Sequence, residues 1–124
     1  MSGGAPAREL DWLLGNLAST ADGVQYAVAL SPDGLLLGRS PGLSRDEADH
    51  LAALAAGVQS MASGASRRFG RGEVRQTVIE MDEALLFITS ADRSTCLAVL
   101  TDAEADAGLI AYEMAVLVRR VGQH

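Results

Sequence analysis

The fold is decided by residues 23–37, which read GVQYAVALSPDGLLL. Large apolar residues occupy every second position from 24 to 30, and this is the period of a β-strand with one buried face. Pro32-Asp33-Gly34 is a turn, because proline presets φ and glycine tolerates a positive φ. Three leucines then resume the apolar pattern. The stretch therefore predicts a β-hairpin with strands over 24–31 and 35–40.

Helices are predicted on both sides of the hairpin. Leucines and alanines recur at helical spacing before it, which predicts a helix over 8–21. Trp12 falls about 200° from Leu10 around that helix, away from its apolar stripe. It can pack on a neighbouring element or a second subunit, or it can be an exposed aromatic anchor for a partner. After the hairpin, Ser44-Arg45-Asp46-Glu47 fits a capping box and predicts a helix that continues to Arg67 or Arg68.

This second helix carries two stripes of residues. The first is expected to face a sheet and consists of Leu51, Leu54, Ala55, Val58, Met61, Ala62 and Ala65. The second is small throughout and consists of Ala48, Ala52, Ala56, Gln59, Ser60 and Ser63. Small side chains let another helix approach, which would suit a contact between subunits. The alternative is that alanine is abundant here simply because it is a good helix former.

The remaining chain predicts a three-stranded antiparallel meander and a last helix. Its strands are expected over 73–81, 85–90 and 94–100, and the polar first of these suggests a sheet edge or an interface. Thr101-Asp102-Ala103-Glu104 is a second capping-box candidate for the start of the last helix. The predicted order is α-β-β-α-β-β-β-α, an α/β layered fold. We expect one domain over residues 8–124, preceded by a flexible tail over 1–7.

Composition excludes several classes of function. The chain has 124 residues and a net charge of −6, and all ten basic residues are arginine. The absence of lysine excludes P-loop, pyridoxal-phosphate and Ser–Lys chemistry. Cys96 is expected to be a small buried hydrophobe, and neither His50 nor His124 sits where neighbours would fix a base or ligand. We expect no catalytic site, metal or cofactor, no nucleic-acid binding, and a cytoplasmic location without a membrane span.

One local excess of positive charge interrupts this acidic chain, at Arg67, Arg68, Arg71 and Arg75. It can be a solvated helix end followed by a strand start. It can also be a patch that steers an acidic partner surface.

The element order and several motifs resemble the roadblock/LC7 family from about Glu9 to Val121. The hairpin, with its Ser-x-Asp-Gly turn between apolar strands, is the most specific of these motifs. Residues 10–14 (LDWLL), 74–81 (VRQTVIEM) and 111–115 (AYEMA) resemble the actinobacterial branch that is associated with Ras-like small GTPases. The resemblance implies a roadblock/profilin-like five-stranded antiparallel sheet, with the second helix on one face and the terminal helices on the other.

The resemblance also implies a homodimer in which the third strands pair edge to edge and the second helices lie side by side. On this basis the expected dimer interface comprises Ala52, Ala56, Gln59, Ser60, Ser63, Val74, Gln76 and Val78. The expected partner-binding residues, on the surface built by the paired helices, are Arg45, Asp49, Ala53, Arg67, Arg68 and Arg71.

The function implied is that of a non-enzymatic dimeric adaptor or regulator. It would bind a small Ras-like GTPase and modulate its nucleotide cycle or localisation in a bacterial signalling complex. A membrane-associated sensor-kinase complex is a further candidate partner. The alternatives are a small-molecule sensor, which needs a sizeable apolar pocket with a few polar groups, and a purely structural dimeric scaffold.

Overall fold

The computed structural model describes residues 7–122 and contains, within them, three helices and one five-stranded antiparallel sheet. The predicted tail lies outside the described residues except for Ala7, which begins the first helix. The elements are α1 (Ala7–Thr20), β1 (Val24–Leu30), β2 (Leu36–Arg39), α2 (Arg45–Phe69), β3 (Thr77–Glu80), β4 (Ala84–Ser90), β5 (Cys96–Asp102) and α3 (Ala107–Gly122). The strand order is β2-β1-β5-β4-β3. The predicted fold class and element order are confirmed.

The hairpin that decides the fold forms as predicted, and β1 pairs antiparallel with β2. Its turn is closed by the backbone N–H of Ser31, which donates to the carbonyl of Leu35 at 2.8 Å. The Ser31 hydroxyl donates to the Asp33 carboxylate and accepts from the Leu35 N–H at 3.0 Å. Gly34 adopts a φ of 95°, which explains why glycine stands at this position.

Two cores lie on opposite faces of the sheet. Between the sheet and the two helices α1 and α3, the wholly buried side chains include Leu14, Phe87, Leu97, Ile110 and Met114. Between α2 and the other face they include Val28, Leu30, Ala48, Ala52 and Ile88. The central strands β1, β5 and β4 are thus covered on both sides, as their apolar sequences require.

The predicted orientation of α2 is only partly correct, because Leu51, Ala55 and Val58 of the first stripe pack on the core as expected but Leu54 and Met61 do not. Ala48, Ala52 and Ala55 are fully buried against the sheet, whereas Leu54 is 64% and Met61 71% exposed. The sheet supplies the large side chains at this contact, and the small residues of the helix allow its backbone to approach them closely. Ala48 and Ala52 of the small stripe therefore pack within their own chain, and two of the largest apolar residues of α2 are left in solvent.

The predicted start of the last helix is wrong. Thr101 and Asp102 belong to β5 and pair with Leu85 and Ala84 of β4. The helix begins after Asp106, whose carboxylate accepts the N–H of Leu109 at 3.1 Å and so caps the first turn. The earlier cap is confirmed, since the Ser44 hydroxyl accepts the N–H of Glu47 at 3.1 Å.

One predicted strand is shorter than expected, and another is shifted by two residues along the chain. Only Thr77–Glu80 of the segment 73–81 pairs, and it pairs with β4 at the edge of the sheet. Residues 94 and 95 precede β5 and belong to a turn, in which the Asp92 carboxylate accepts the N–H of Ser94 at 2.8 Å. The edge position of β3 agrees with its polar sequence.

Candidate interaction surface

Helix α2 extends beyond the core that supports it. It has 25 residues, which corresponds to about 37 Å. Its buried residues all lie in the first half, at Ala48, Ala52 and Ala55, and no residue from 56 to 69 is buried. The helix ends at Gly70, which has a φ of 62° and donates its N–H to the carbonyl of Ser66 at 2.8 Å. The last four turns of α2 are therefore only partly covered by the rest of the described chain.

One side of α2 is apolar and exposed. We call it the apolar flank: Leu54, Val58, Met61 and Ala65 recur every three or four residues and so share one side. Leu54 and Met61 are mostly exposed, and Val58 is half-buried. Phe69, at the end of α2, is also exposed. Sequence reasoning did not predict that Leu54, Met61 and Phe69 are exposed, because their hydrophobicity favours burial.

The other side of α2, the small flank (Ala56, Ser60, Ser63), borders a cleft of about 550 Å³ that also touches the β4–β5 turn. The Gln59 side chain reaches across this cleft and donates to the Ser90 hydroxyl at 3.3 Å. The Gln59 carbonyl oxygen is buried and has no hydrogen-bond partner. Since the cleft is open to solvent and largely polar, it is unlike the enclosed apolar pocket that a small-molecule sensor requires.

The edge strand β3 continues the exposed surface. Val78 is 48% and Met81 43% exposed, although both are apolar. Thr77 has a buried hydroxyl without a hydrogen-bond partner. Among the described residues, β3 pairs only with β4, so its outer backbone groups face no strand. Such an edge is a template for pairing with another chain.

The structure places the predicted dimer residues unevenly. Ser60, Gln76 and Val78 are exposed. Ala56, Gln59, Ser63 and Val74 are half-buried. Ala52 is fully buried against its own sheet, so its side chain cannot touch a second subunit and its assignment is corrected. Val74 and Gln76 precede the four residues that form β3, so they are not strand residues here.

The predicted partner-binding residues are all exposed, but they are spread along the whole of α2 and just past its end. They are Arg45, Asp49, Ala53, Arg67, Arg68 and Arg71. Arg45 and Asp49 form an ion pair at 3.6 Å, and an exposed pair of this kind contributes little stability. The arginines at the end of α2 lie next to Gly70, away from that pair. The six residues are therefore spread over an extended surface and do not converge on a compact binding site.

The single cysteine of the chain, Cys96, is buried. Burial raises the pKa of the Cys96 thiol; the hydrogen bond with the Ser90 hydroxyl partly offsets this, and the Asp92 carboxylate raises it by a smaller amount. The thiolate that a nucleophile needs is thus disfavoured. Within residues 7–122, no group of three or more His, Cys, Asp or Glu side chains could hold a metal ion. In the same range, no helix is long and apolar enough to cross a membrane.

Comparison with known proteins identifies the family. The Roadblock/LC7 domain model matches residues 10–101. A solved Roadblock/LC7 domain from Streptomyces avermitilis is 50% identical, with a TM-score of 0.87, and the match covers 90% of this chain and 93% of that one. A second Streptomyces Roadblock/LC7 domain is 39% identical, with a TM-score of 0.76 and coverage of 91% and 98%.

More distant solved structures share the fold alone. Myxococcus xanthus MglB is 17% identical, with a TM-score of 0.85 over 94% of this chain and 86% of that one. No curated protein sequence matches the chain. The two Streptomyces matches are consistent with the actinobacterial branch, and the family model spans most of the sequence. The chain belongs to the Roadblock/LC7 domain family.

Proposed function

We propose that this chain is a dimeric, non-enzymatic adaptor that binds a small Ras-like GTPase through α2 and modulates its nucleotide cycle or localisation. The observation that carries the proposal is the exposure of Leu54 and Met61 on α2 together with the unpaired edge of β3. Membership of the Roadblock/LC7 family supports a regulator role of this general kind.

Self-association is the first part of the proposal. Leu54 and Met61 of the apolar flank and Val78 of β3 would cost free energy in water if left uncovered, at about 25 cal/mol per Å². A second copy with β3 against β3 would pair both edges and bring the two α2 helices side by side. One solved MglB structure of the same fold is described as having a tetrameric arrangement, so self-association has a precedent within this fold.

GTPase binding is the second part. In the proposed dimer the apolar flank is covered, and the exposed residues Arg45, Asp49 and Ala53 remain accessible on the other side of α2. Their mixed charges and small side chains suit a protein surface better than a small ligand. The argument for the kind of partner rests on the family, whereas the argument for its position rests on the exposure of α2.

A binding experiment with a Ras-like GTPase from the organism that encodes this chain tests the proposal. The GTPase is loaded with GDP or with a non-hydrolysable GTP analogue, and its affinity for the chain is measured by fluorescence anisotropy. We expect binding that differs between the two states, together with a changed rate of hydrolysis or exchange. Equal affinity in both states would indicate a structural scaffold, and no binding in either state would refute the proposal.

A matched pair of variants tests the position of the site. Ala53→Arg adds a large charged side chain to exposed α2 at no cost in helix propensity, since Arg and Ala are both strong helix formers. Gln25→Arg adds the same charge at an exposed position of β1. We expect at least about tenfold weaker GTPase binding for Ala53→Arg, which is about 1.4 kcal/mol, and no change for Gln25→Arg. Equal affinities would place the docking surface elsewhere.

A further inference from the structure

The outer surface of α1 and α3, on the sheet face opposite α2, exposes two aromatic side chains. Trp12 is 61% and Tyr112 62% exposed, and Leu109 nearby is 42% exposed. The Arg120 guanidinium lies 5.8 Å from the centre of the Trp12 ring, so this arginine and tryptophan form a cation–π pair. Trp, Tyr and Arg are the residue types that dominate protein interfaces.

These residues form one continuous surface. A shallow hollow between the helices has a lining that is half apolar and half polar: Leu13, Asn16, Leu17 and Thr20 of α1, and Glu113, Val116, Leu117 and Arg120 of α3. On α3, residues 109, 112, 116 and 119 are spaced by three, four and three residues, which is the spacing of a helix–helix contact. We call this surface, made of Trp12, Leu109, Tyr112, Val116, Arg119 and Arg120, the α1/α3 face. It extends about 16 Å from Leu109 to Arg120.

The two ends of the α1/α3 face carry opposite charges. At the Trp12 end, Arg8, Arg119 and Arg120 are exposed, with Glu9 as the acidic neighbour. At the Leu109 end, a hollow of about 420 Å³ is lined by four carboxylates, which belong to Asp22, Asp102, Glu104 and Asp106, and by no basic residue.

We propose that the α1/α3 face is a second self-association surface, on which two copies of the chain pack antiparallel about a two-fold axis. Such an axis places the basic end of each copy on the acidic end of the other, so a surface with opposite charges at its ends is complementary to itself. It also sets Leu109 of each copy against Trp12 of the other, with Tyr112 facing Val116 near the axis. The α1/α3 face is independent of α2, so it can link the proposed dimers into larger assemblies.

This contact is expected to be weak. Two adjacent helix surfaces, each about 10 Å wide and 16–20 Å long, bury roughly 640–800 Å² in total over both copies, which is below the range of stable interfaces and suits a transient contact. A lipid surface is a poorer occupant, because the four carboxylates and the net charge of −6 repel anionic headgroups.

The experiment exploits the charge pattern. One variant of the full chain carries Arg119→Glu and Arg120→Glu, and a second carries Asp22→Arg and Glu104→Arg; all four positions are exposed. The first variant has two acidic ends, and the second has a basic end and an end whose formal charge falls from −4 to zero. An equimolar mixture restores opposite charges at one contact and sets a neutral end at the other. Analytical ultracentrifugation should show that each variant self-associates at this face at least about tenfold more weakly than the unmodified chain, and that the mixture partly recovers.

The emission of Trp12 separates this contact from the α2 contact, because Trp12 is the only tryptophan in the chain. We expect a concentration-dependent, salt-sensitive change in emission for the unmodified chain, and the same change for the control Arg67→Glu, Arg68→Glu, which alters the same charge at the end of α2. A failed α2 dimer leaves this emission change in place. Four results would each overturn the proposal. Two concern Trp12 emission: no response to protein concentration, or a response only to anionic vesicles. The other two concern the variants: charge-reversed variants that associate normally, or a mixture that does not recover.

Discussion

Replacing Met61 by Arg tests where the two α2 helices meet. Fully burying a methionine side chain is worth about 1.5–3 kcal/mol, and 71% of Met61 is still exposed in the single chain. Covering it in a dimer should therefore contribute about 1–2 kcal/mol per copy, or about 2–4 kcal/mol for the two copies. Removing that contribution weakens dimerisation by about 30-fold to 700-fold, and the added charge weakens it further.

The assay is sedimentation velocity over a range of protein concentrations, with thermal unfolding as the check on the single chain. The unfolding temperature extrapolated to low concentration should not change, because Met61 buries little within its own chain. Ser60→Arg is the matched control: Ser60 is also exposed but lies about 100° around the helix, on the small flank. If Ser60→Arg dissociates the dimer and Met61→Arg does not, the small flank is the interface and our choice of the apolar flank is refuted.

Three further predictions concern stability. Ser40→Ala should lower the free energy of unfolding by about 1–3 kcal/mol in urea melts, because the buried Ser40 hydroxyl accepts the N–H of Ala27 at 2.9 Å. The exposed control Ser19→Ala should change the free energy of unfolding by under about 0.5 kcal/mol. Equal losses in the two variants would contradict a stabilising role of the Ser40–Ala27 hydrogen bond. Gly38→Ala should cost about 1–3 kcal/mol, since a β-carbon there would lie 3.0 Å from that of Leu10; an unchanged melting temperature would argue against this close packing of α1 on β2. Burial raises the pKa of the Cys96 thiol above its ordinary value of 9.0, so the unfolded chain releases the thiol proton at a lower pH than the folded chain. The contribution of this protonated thiol to the free energy of unfolding is intact below about pH 8.5 and is lost as pH rises. Cys96→Ala should therefore lose less stability than the unmodified chain between pH 7 and 10, whereas equal losses would refute this linkage.

The sequence by itself determined most of the architecture. The alternation from Val24 to Leu30 and the turn at Pro32-Asp33-Gly34 predict the hairpin, because strand period and turn geometry are local properties. The helical stripes of α1 and α3 were also correct, and their large residues, such as Leu14 and Met114, are buried. The absence of lysine excludes whole classes of chemistry through composition alone, because no fold can supply a side chain that the sequence lacks.

Only the tertiary structure decided which residues are available for contact. In α2, hydrophobicity predicts that Leu54 and Met61 lie against the sheet, yet Ala48 and Ala52 do, because the large side chains at that contact come from distant strands. The starts of α3 and β3 also depended on pairing partners outside the local sequence. The helical spacing puts Trp12 off the apolar stripe, but its pairing with an arginine more than 100 residues away required the packing of α1 beside α3. Local periodicity specifies an element, whereas its exposed surface is what remains after all other elements have packed against it.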